Sequence, residues 1–171
     1  MDTPNPRDDP TRTTPIGMAR YAAEFMEAAL AVDDKMGNKP GHEIVTPIPV
    51  MFLVGQAIEL SLKAFLLNRG VTLRELRKNH GHELCSSLRK AKELGLLSLV
   101  RITDEEQSVI ELLDDLYASK QLQYIVTGVK TFPVFGPLER VALKLINAIG
   151  HEVGFPPRNL STIGYIPPAT R

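Results

Sequence analysis

The sequence has one cysteine and no tryptophan, and its positive and negative charges cancel. A single thiol, Cys85, excludes an intramolecular disulfide and is compatible with a reducing compartment. Twenty Lys and Arg residues against twenty Asp and Glu residues argue against a protein that coats nucleic acid by net charge alone. A chain of 171 residues is long enough to bury a core without a disulfide or a metal. These absences favour one self-sufficient domain.

The sequence also lacks an uncharged apolar run of the roughly 18 residues that a membrane-spanning helix needs. The best candidate, residues 47–70, carries Glu59 and Lys63 in its middle. The first residues are rich in Pro, Thr and Asp, which is not the basic and then apolar pattern of a secretory signal. We therefore expect a soluble, cytoplasmic protein without a membrane partner.

Prolines and apolar content divide the chain into one domain and two tails. Residues 1–14 have almost nothing apolar, so burial cannot offset the entropy lost on ordering them. Residues 155–171 contain four prolines, which exclude a continuous helix. The apolar side chains of that segment nevertheless suggest packing on the body: Leu160, Ile163, Tyr165 and Ile166. The prediction is a disordered tail over 1–14, one helical domain over 15–154 and a Pro-rich tail over 155–171.

Apolar spacing predicts five helical stretches and almost no strand. They cover about 17–36, 47–68, 73–93 with a break near 78–82, 103–124 and 137–151. In the second stretch apolar residues surround the helix, which predicts a central buried helix. In the fourth, Thr103 and Glu106 have the spacing of a capping box. Because strand composition is confined to 124–127 and 129–134, we predict an all-α, up-and-down bundle of four to five helices.

Two of these stretches have a clear predicted core face, defined by side chains that recur every three to four residues. In the first helix the expected face consists of Tyr21, Phe25, Ala28, Ala29 and Val32. In the last helix it consists of Leu138, Val141, Ala142, Leu145, Ala148 and Ile149.

A polar patch interrupts the apolar second helix. Gln56, Glu59 and Lys63 project within roughly 60° of one another at 3.6 residues per turn. A buried carboxylate needs a cation, and Lys63 supplies one at the i+4 position. Lys120 falls in the apolar stripe of the fourth stretch and provides a second. Two interpretations stay open: a buried Glu59–Lys120 bridge with Lys63 pointing outward, or a polar pocket. The candidate ligand-binding residues are Glu59, Lys63, His82, Lys120 and Tyr124.

Charge is unevenly distributed along the chain. Residues 68–92 hold seven basic residues against two acids, and residues 104–115 hold six acids without a Lys or Arg. The simplest interpretation is two solvated helix faces. One alternative is an RNA-binding surface on the basic stretch, and another is an acidic helix that docks a basic protein partner. The candidate RNA-binding residues are Arg74, Arg77, Lys78, Arg89 and Lys90.

His80, His82 and Cys85 lie close together but do not define a metal site. A structural zinc needs four ligands, and the two other histidines do not have the spacing of a second ligand pair. We predict no metal and no cofactor. His82 follows Gly81 at a helix start, where it is expected to cap and pack.

Three successive motifs resemble those of the HEPN domains of bacteria and archaea. They are Gln56, Glu59 and Lys63 within QAIELSLKA, then GHEL at 81–84, then residues 117–124, and the resemblance covers about 47–151. It implies a helical bundle, often dimeric, that accompanies a nucleotidyltransferase in toxin–antitoxin pairs or acts as an RNase. We therefore expect a homodimer with RNA, a nucleotidyltransferase or another protein as partner, in a toxin–antitoxin, stress or phage-defence setting.

The resemblance also bears on catalysis. Many active members of that family carry an Arg, then a polar residue, and a His four to six residues after the Arg on a late helix. Here Asn147 and His151 match, but Ile146 stands in place of the Arg and cannot stabilise charge on a phosphate. The resemblance therefore implies a degenerate, non-catalytic module that binds RNA or a nucleotide-containing partner. The alternative is a metal-independent endoribonuclease with His151 as acid or base, aided by Arg140 or Lys144. A third interpretation is that Arg140, Lys144, Asn147 and His151, which fall on one row of the last helix, form an exposed polar face.

Overall fold

Six α-helices build the protein in the computed structural model, which describes residues 9–42, 45–157 and 160, and no strand occurs among those residues. The all-α class predicted from the sequence is confirmed. A π-helical turn, Leu76–His80, leads towards α4, and a 3₁₀ turn, Leu96–Ser98, follows it. The helices are α1 (Pro15–Met36), α2 (Ile48–Asn68), α3 (Leu73–Glu75), α4 (Leu84–Glu93), α5 (Asp104–Ala118) and α6 (Phe135–Val153).

Helix α2 lies at the centre of the bundle and packs on α1, α4, α5 and α6. It begins after Pro47, and its end is followed by Gly70, whose φ of 88° is readily adopted by glycine alone. By length and composition α2 could cross a membrane, but 67% of its most apolar 18-residue window is buried inside the fold. The prediction of a central buried helix is confirmed.

The core face predicted for helix α1 is only partly correct. Thr14 caps it by accepting a hydrogen bond from the Gly17 amide at 3.1 Å. Of the predicted stripe, Ala29 is buried and Phe25 and Val32 pack against the core, whereas Tyr21 and Ala28 are exposed. Small side chains allow α1 to approach α2 closely and leave the aromatic residues at the edge of the contact. The buried residues are Ala19, Ala22, Ala23, Met26 and Ala29.

Helix α5 has the predicted start but ends early. The capping box is present, since Thr103 Oγ1 accepts from the Glu106 amide at 3.2 Å and the Thr103 amide donates to Glu106 Oε2 at 2.9 Å. The helix stops at Ala118 rather than near Tyr124, because the Ser119 hydroxyl donates to a backbone carbonyl and Lys120 takes a φ of 60°. Lys120 and Tyr124 are therefore exposed instead of facing the core.

Helix α6 is buried on more sides than predicted. All six residues of its expected core face are buried. Ile146 is buried as well. The polar row of this helix is only half exposed, because Lys144 and Asn147 are buried whereas Arg140 and His151 lie at the surface. The strand-like stretches 124–127 and 129–134 are an irregular connection between α5 and α6.

The proposed tails lie only partly within the described chain. Residues 1–8 and 161–171 are outside it, including Ile163, Tyr165 and Ile166. Leu160 is buried, and the Phe155 amide donates to the Gly150 carbonyl at 2.7 Å, which turns the chain back after α6. The domain boundaries at 15 and 154 stay a prediction.

Candidate functional site

A hydrogen-bonded network centred on Glu59 joins α2, α5 and the turn before α4. Glu59 is 5% exposed. Its Oε1 lies 2.5 Å from Lys63 Nζ, and its Oε2 accepts from the Tyr117 hydroxyl at 2.6 Å. His82 Nδ1 lies 3.0 Å from the same Oε2. The carboxylate thus has three protein partners.

The network keeps Glu59 ionised. Burial alone would raise the pKa of this carboxyl, but the Lys63 ammonium and the hydrogen bonds from Tyr117 and His82 outweigh it, so the pKa lies below its usual value. The pKa of Tyr117 is raised by burial and by the negative charge of Glu59. Tyr117 therefore stays a neutral hydrogen-bond donor to a charged carboxylate.

Lys63 also links α2 to the turn before α4. Its Nζ donates to the Gly81 carbonyl at 2.5 Å as well as to Glu59. Gly81 ends the π-helical turn with a φ of 40°, a conformation in the range that favours glycine. The turn places the next residue, His82, beside Glu59.

A cleft of about 890 Å³ opens beside this network, between the start of α1, one side of α2 and the π-helical turn. We call it the basic cleft. Among the described residues that line it, the cationic side chains are Arg12, Arg20, Lys63 and Arg77, and the one carboxylate is that of Glu59, which is already engaged by three partners.

The mouth of the basic cleft carries an aromatic side chain. Tyr21 is 51% exposed, and Cζ of Arg20 lies 5.2 Å from the centre of its ring. Arg20 also pairs with Glu24 at 3.3 Å on the surface. An exposed ring beside cations can stack on a base while the cations contact phosphate.

The structure brings together three of the five predicted ligand-binding residues. Glu59, Lys63 and His82 line the basic cleft. Lys120 and Tyr124 are exposed and lie outside its lining, so the Glu59–Lys120 bridge is wrong, and Lys63 is the cation that faces Glu59.

Several residues of the site were not predicted as site residues from the sequence. Arg12 was assigned to a tail, Tyr21 was assigned to the core face of α1, and Arg20 was not assigned a role. Tyr117 was recognised only as the first residue of the 117–124 motif, without its bond to Glu59. Gly55 and Glu59 lie one turn apart on α2. This spacing was the sequence signal that a side chain from another helix could pack over Gly55 and reach Glu59.

The predicted RNA-binding residues separate into two groups. Arg77 lines the basic cleft. Arg74, Lys78 and Arg89 are exposed but lie outside the lining, and Lys90 pairs with Glu93 at 3.0 Å. Of the five predicted RNA-binding residues, Arg77 thus lines the same cleft as the Glu59 network.

The predicted catalytic row on α6 is divided between surface and core. Lys144 Nζ lies 2.7 Å from Glu106 Oε1 and donates to the Arg101 carbonyl at 3.3 Å. Asn147 is buried, whereas Arg140 and His151 are exposed. Burial would raise the pKa of Glu106, but Lys144 and the cap at Thr103 hold it below the usual value. Lys144 is therefore engaged in a buried ion pair.

Among the described residues, no group of three or more His, Cys, Asp or Glu side chains could hold a metal. His80 Nδ1 lies 3.0 Å from Ser86 Oγ. Burial, followed by the Asp114 carboxylate, raises the pKa of Cys85 to about 12. The backbone amides of Leu84 and Cys85 donate to Asp114 at 2.7 and 3.1 Å, so this acid caps α4 from α5.

Comparison of the chain with known protein families, with curated proteins and with solved structures found no match.

Proposed function

We propose that this chain is an RNA-binding module that holds a short single-stranded segment in the basic cleft. The observation that supports it is the charge of the described part of the lining, in which four cationic side chains and His82 surround one carboxylate whose oxygens are already bonded to protein. A polyanion would offset this concentration of positive charge.

The individual groups suit the parts of a nucleotide. The guanidinium groups of Arg12, Arg20 and Arg77 can form paired hydrogen bonds to phosphate oxygens. The exposed ring of Tyr21 offers a stacking surface for a base. The Arg20–Glu24 pair is exposed, and such pairs stabilise proteins by about 0–1 kcal/mol, so it competes weakly with a phosphate.

The proposed biological setting follows from the resemblance to HEPN domains. We propose a HEPN-like bundle in the cytoplasm, forming a homodimer and acting with a nucleotidyltransferase or another protein in a toxin–antitoxin, stress or phage-defence system. The late-helix residues favour a non-catalytic role for α6, because Ile146 is buried and Lys144 is held by Glu106.

The alternative of an acidic docking helix receives less support. Glu106 faces Lys144, and Asp114 caps α4, so two of its six acids are used inside the fold. The exposed acids that remain are Asp104, Glu105, Glu111 and Asp115.

Fluorescence anisotropy with a labelled single-stranded RNA tests the RNA-binding proposal. Arg20→Glu and Arg77→Glu should each weaken binding by about tenfold and reduce the slope of log affinity against log salt by about one. Arg89→Glu is the matched control, because it makes the same charge change at an exposed residue outside the cleft lining. Equal losses in all three variants, or no binding at low salt, would contradict the proposal. Circular dichroism of each variant checks that the fold is retained.

A further inference from the structure

The connection between α5 and α6 has the composition of a β-strand but pairs with no strand. We call residues 124–134, with the sequence YIVTGVKTFPV, the connector. Eight of its eleven residues are β-branched or aromatic, the types that favour strands. Within the part of the chain that the structure describes, no hydrogen bond involves the backbone of residues 125–133. The φ angle is negative at each of these residues except Gly128. The connector thus offers unpaired N–H and C=O groups to which another strand could bond.

The connector also concentrates the exposed apolar surface of the protein. Single exposed apolar side chains are ordinary, whereas a contiguous group of them marks an interaction site. Of the ten large apolar side chains that are exposed in the described chain, five lie between residues 124 and 134. Ile125 and Val129 are fully exposed, while Phe132 packs against the core and holds the connector to the fold.

An open groove of about 820 Å³ lies between the second half of the connector and the end of α1. Residues 130–136 line it on one side, and Asp33 and Asp34 of α1 line it on the other. Neither of these two carboxylates has a hydrogen-bond or ion-pair partner among the residues that the structure describes. Lys130 is the one Lys or Arg in the described lining. The groove is therefore apolar along the connector and acidic along α1.

A third carboxylate, that of Glu139 on α6, experiences the charges of Asp33 and Asp34. Burial raises the pKa of Glu139, and the two aspartates raise it further. Burial, followed by the charge of Asp34, raises the pKa of Asp33. The acids thus repel one another without a cation between them. A positive charge brought into the groove would offset this repulsion.

We propose that the connector binds an extended segment of another protein by strand addition, and that this segment carries a Lys or Arg flanked by apolar residues. The backbone of the segment pairs with the free N–H and C=O groups of residues 125–132. Its apolar side chains cover Ile125 and Val129, and its cation enters the groove beside Asp33 and Asp34. The groove and the basic cleft share no lining residue, so the inference goes beyond the proposed RNA binding and does not depend on it.

Charge favours such a basic segment over a second copy of this chain. The connector contains one Lys and no Arg. A dimer joined through two connectors would bring Asp33, Asp34 and Glu139 twice and the single lysine twice, so the excess of negative charge would remain. A segment with a Lys or Arg supplies the charge that the groove lacks.

A display experiment with a library of random linear peptides tests the proposal on the full chain. Each round of selection includes removal of the peptides that also bind the double variant Ile125→Ser with Val129→Ser, in which the exposed apolar surface is lost. The enriched peptides should combine Lys or Arg with Val, Ile, Phe or Tyr. Failure to enrich any peptide, or enrichment of peptides without a cation, would overturn the proposal.

Strand addition is tested with a synthetic peptide of the most enriched sequence, labelled for fluorescence anisotropy. Alternate residues of a strand direct their N–H groups towards the neighbouring strand. Methylation of the amide nitrogens at one set of alternate residues should therefore abolish binding, and methylation at the other set should leave it nearly unchanged. Equal losses for the two sets would exclude strand addition.

The same peptide measures the apolar contact. The double variant Ile125→Ser with Val129→Ser should bind it at least about tenfold more weakly, because two apolar side chains are no longer covered. Leu97→Ser is the matched control, since Leu97 is an exposed apolar residue outside the groove lining. Equal affinities of the double variant and the control would contradict the proposal. Circular dichroism checks that each variant is folded.

The charge contact is measured as a coupling between protein and peptide. Asp34→Asn should weaken binding by about fivefold, and the loss should largely disappear when alanine replaces the cation of the peptide. Asp115→Asn, which removes an exposed acid elsewhere, should have no effect on either peptide. A loss in Asp34→Asn that is the same for both peptides would show that the cation does not enter the groove.

Two further measurements separate the alternatives. If sedimentation shows a dimer of the unmodified chain that the double variant Ile125→Ser with Val129→Ser loses, the connector joins two copies and the proposal is overturned. The double variant changes no charge, so it should bind labelled RNA as the unmodified protein does. If RNA binds and no peptide does, this inference fails and the RNA-binding proposal stands.

Discussion

The ring of Tyr117 lies on the backbone of Gly55, so that its hydroxyl meets Glu59 one turn further along α2. A Cβ atom at position 55 would lie 2.6 Å from Cδ2 of Tyr117, closer than real Cβ contacts allow. The absence of a side chain at Gly55 therefore sets how closely α5 approaches α2 at the level of the Glu59 network.

Gly55→Ala should destabilise the protein by about 1–3 kcal/mol, because the added methyl group displaces a buried ring. Urea unfolding measures the change. Gly136→Ala is the matched control, since a Cβ at this helical position meets nothing within 4 Å and alanine is the better helix former. It should leave stability unchanged or raise it by up to about 1 kcal/mol. Equal effects of the two substitutions would contradict the packing argument.

Glu106→Gln should cost about 3–5 kcal/mol, because Lys144 would keep a buried charge without its carboxylate. Glu105→Gln is the control, since Glu105 faces Arg140 at 3.9 Å on the surface, where such pairs contribute about 0–1 kcal/mol. Thermal and urea unfolding at neutral pH compare the two. A double variant, Glu106→Leu with Lys144→Met, should recover much of the loss.

The same ion pair predicts a dependence of stability on pH. The pKa of Glu106 is lowered in the folded chain from its ordinary value of 4.5, so the unfolded chain binds its proton at higher pH. The stabilisation is therefore fully present above about pH 4.5 and is lost as the pH falls through the folded-state value. In urea unfolding between pH 3 and 7, the free energy of unfolding should fall less steeply with decreasing pH in Glu106→Gln than in the unmodified protein. Glu59, whose pKa is also lowered, contributes to the slope in both proteins.

Cys85 should react slowly with iodoacetamide in the folded protein. Its pKa is raised from 9.0 to about 12, which leaves roughly a thousandfold less thiolate at pH 8 than an ordinary cysteine. Alkylation followed by mass spectrometry measures the rate, and the chain unfolded in urea provides the reference. Asp114→Asn should speed the reaction, since the carboxylate is the second cause of the raised value. A folded rate equal to the unfolded rate would contradict the assignment.

Asp114→Asn should also destabilise the protein, by about 1 kcal/mol, because the charged cap of α4 is lost. Asp115→Asn makes the same chemical change at the neighbouring exposed position and should be neutral within about 0.5 kcal/mol. A variant that combines both changes would lose stability as well as charge, so its loss of partner binding would not identify a docking surface. A loss of binding in a pull-down with Asp115→Asn alone would identify it.

The all-α class and the central place of α2 followed from the sequence because hydrophobic periodicity reports burial directly. The capping box at Thr103 was also predictable, since both of its partners lie within one turn. The core face of α1 was predictable only in part, because alanines and larger apolar residues occur on adjacent faces. Which face is buried depends on how closely the neighbouring helix approaches, and sequence spacing does not contain that distance.

The candidate site was predictable where its contacts are local in the chain. The Glu59–Lys63 pair lies within one helical turn, and His82 was recognised as a residue near a helix start. The bond from Tyr117 to Glu59 spans 58 residues. The assignment of Lys120 failed because α5 was extended past Ala118, and a helix end set by a side-chain bond and a positive φ leaves the apolar pattern unchanged.

The cap that Asp114 places on α4 has a consequence for cooperativity. Helix α4 has 10 residues, too few to be stable alone in water, and its first amides are bonded to a residue 30 positions along the chain. Its amides should therefore become protected from hydrogen exchange only when α5 has docked. In native-state exchange the two helices should open together, as one unit, rather than α4 fraying from its own end.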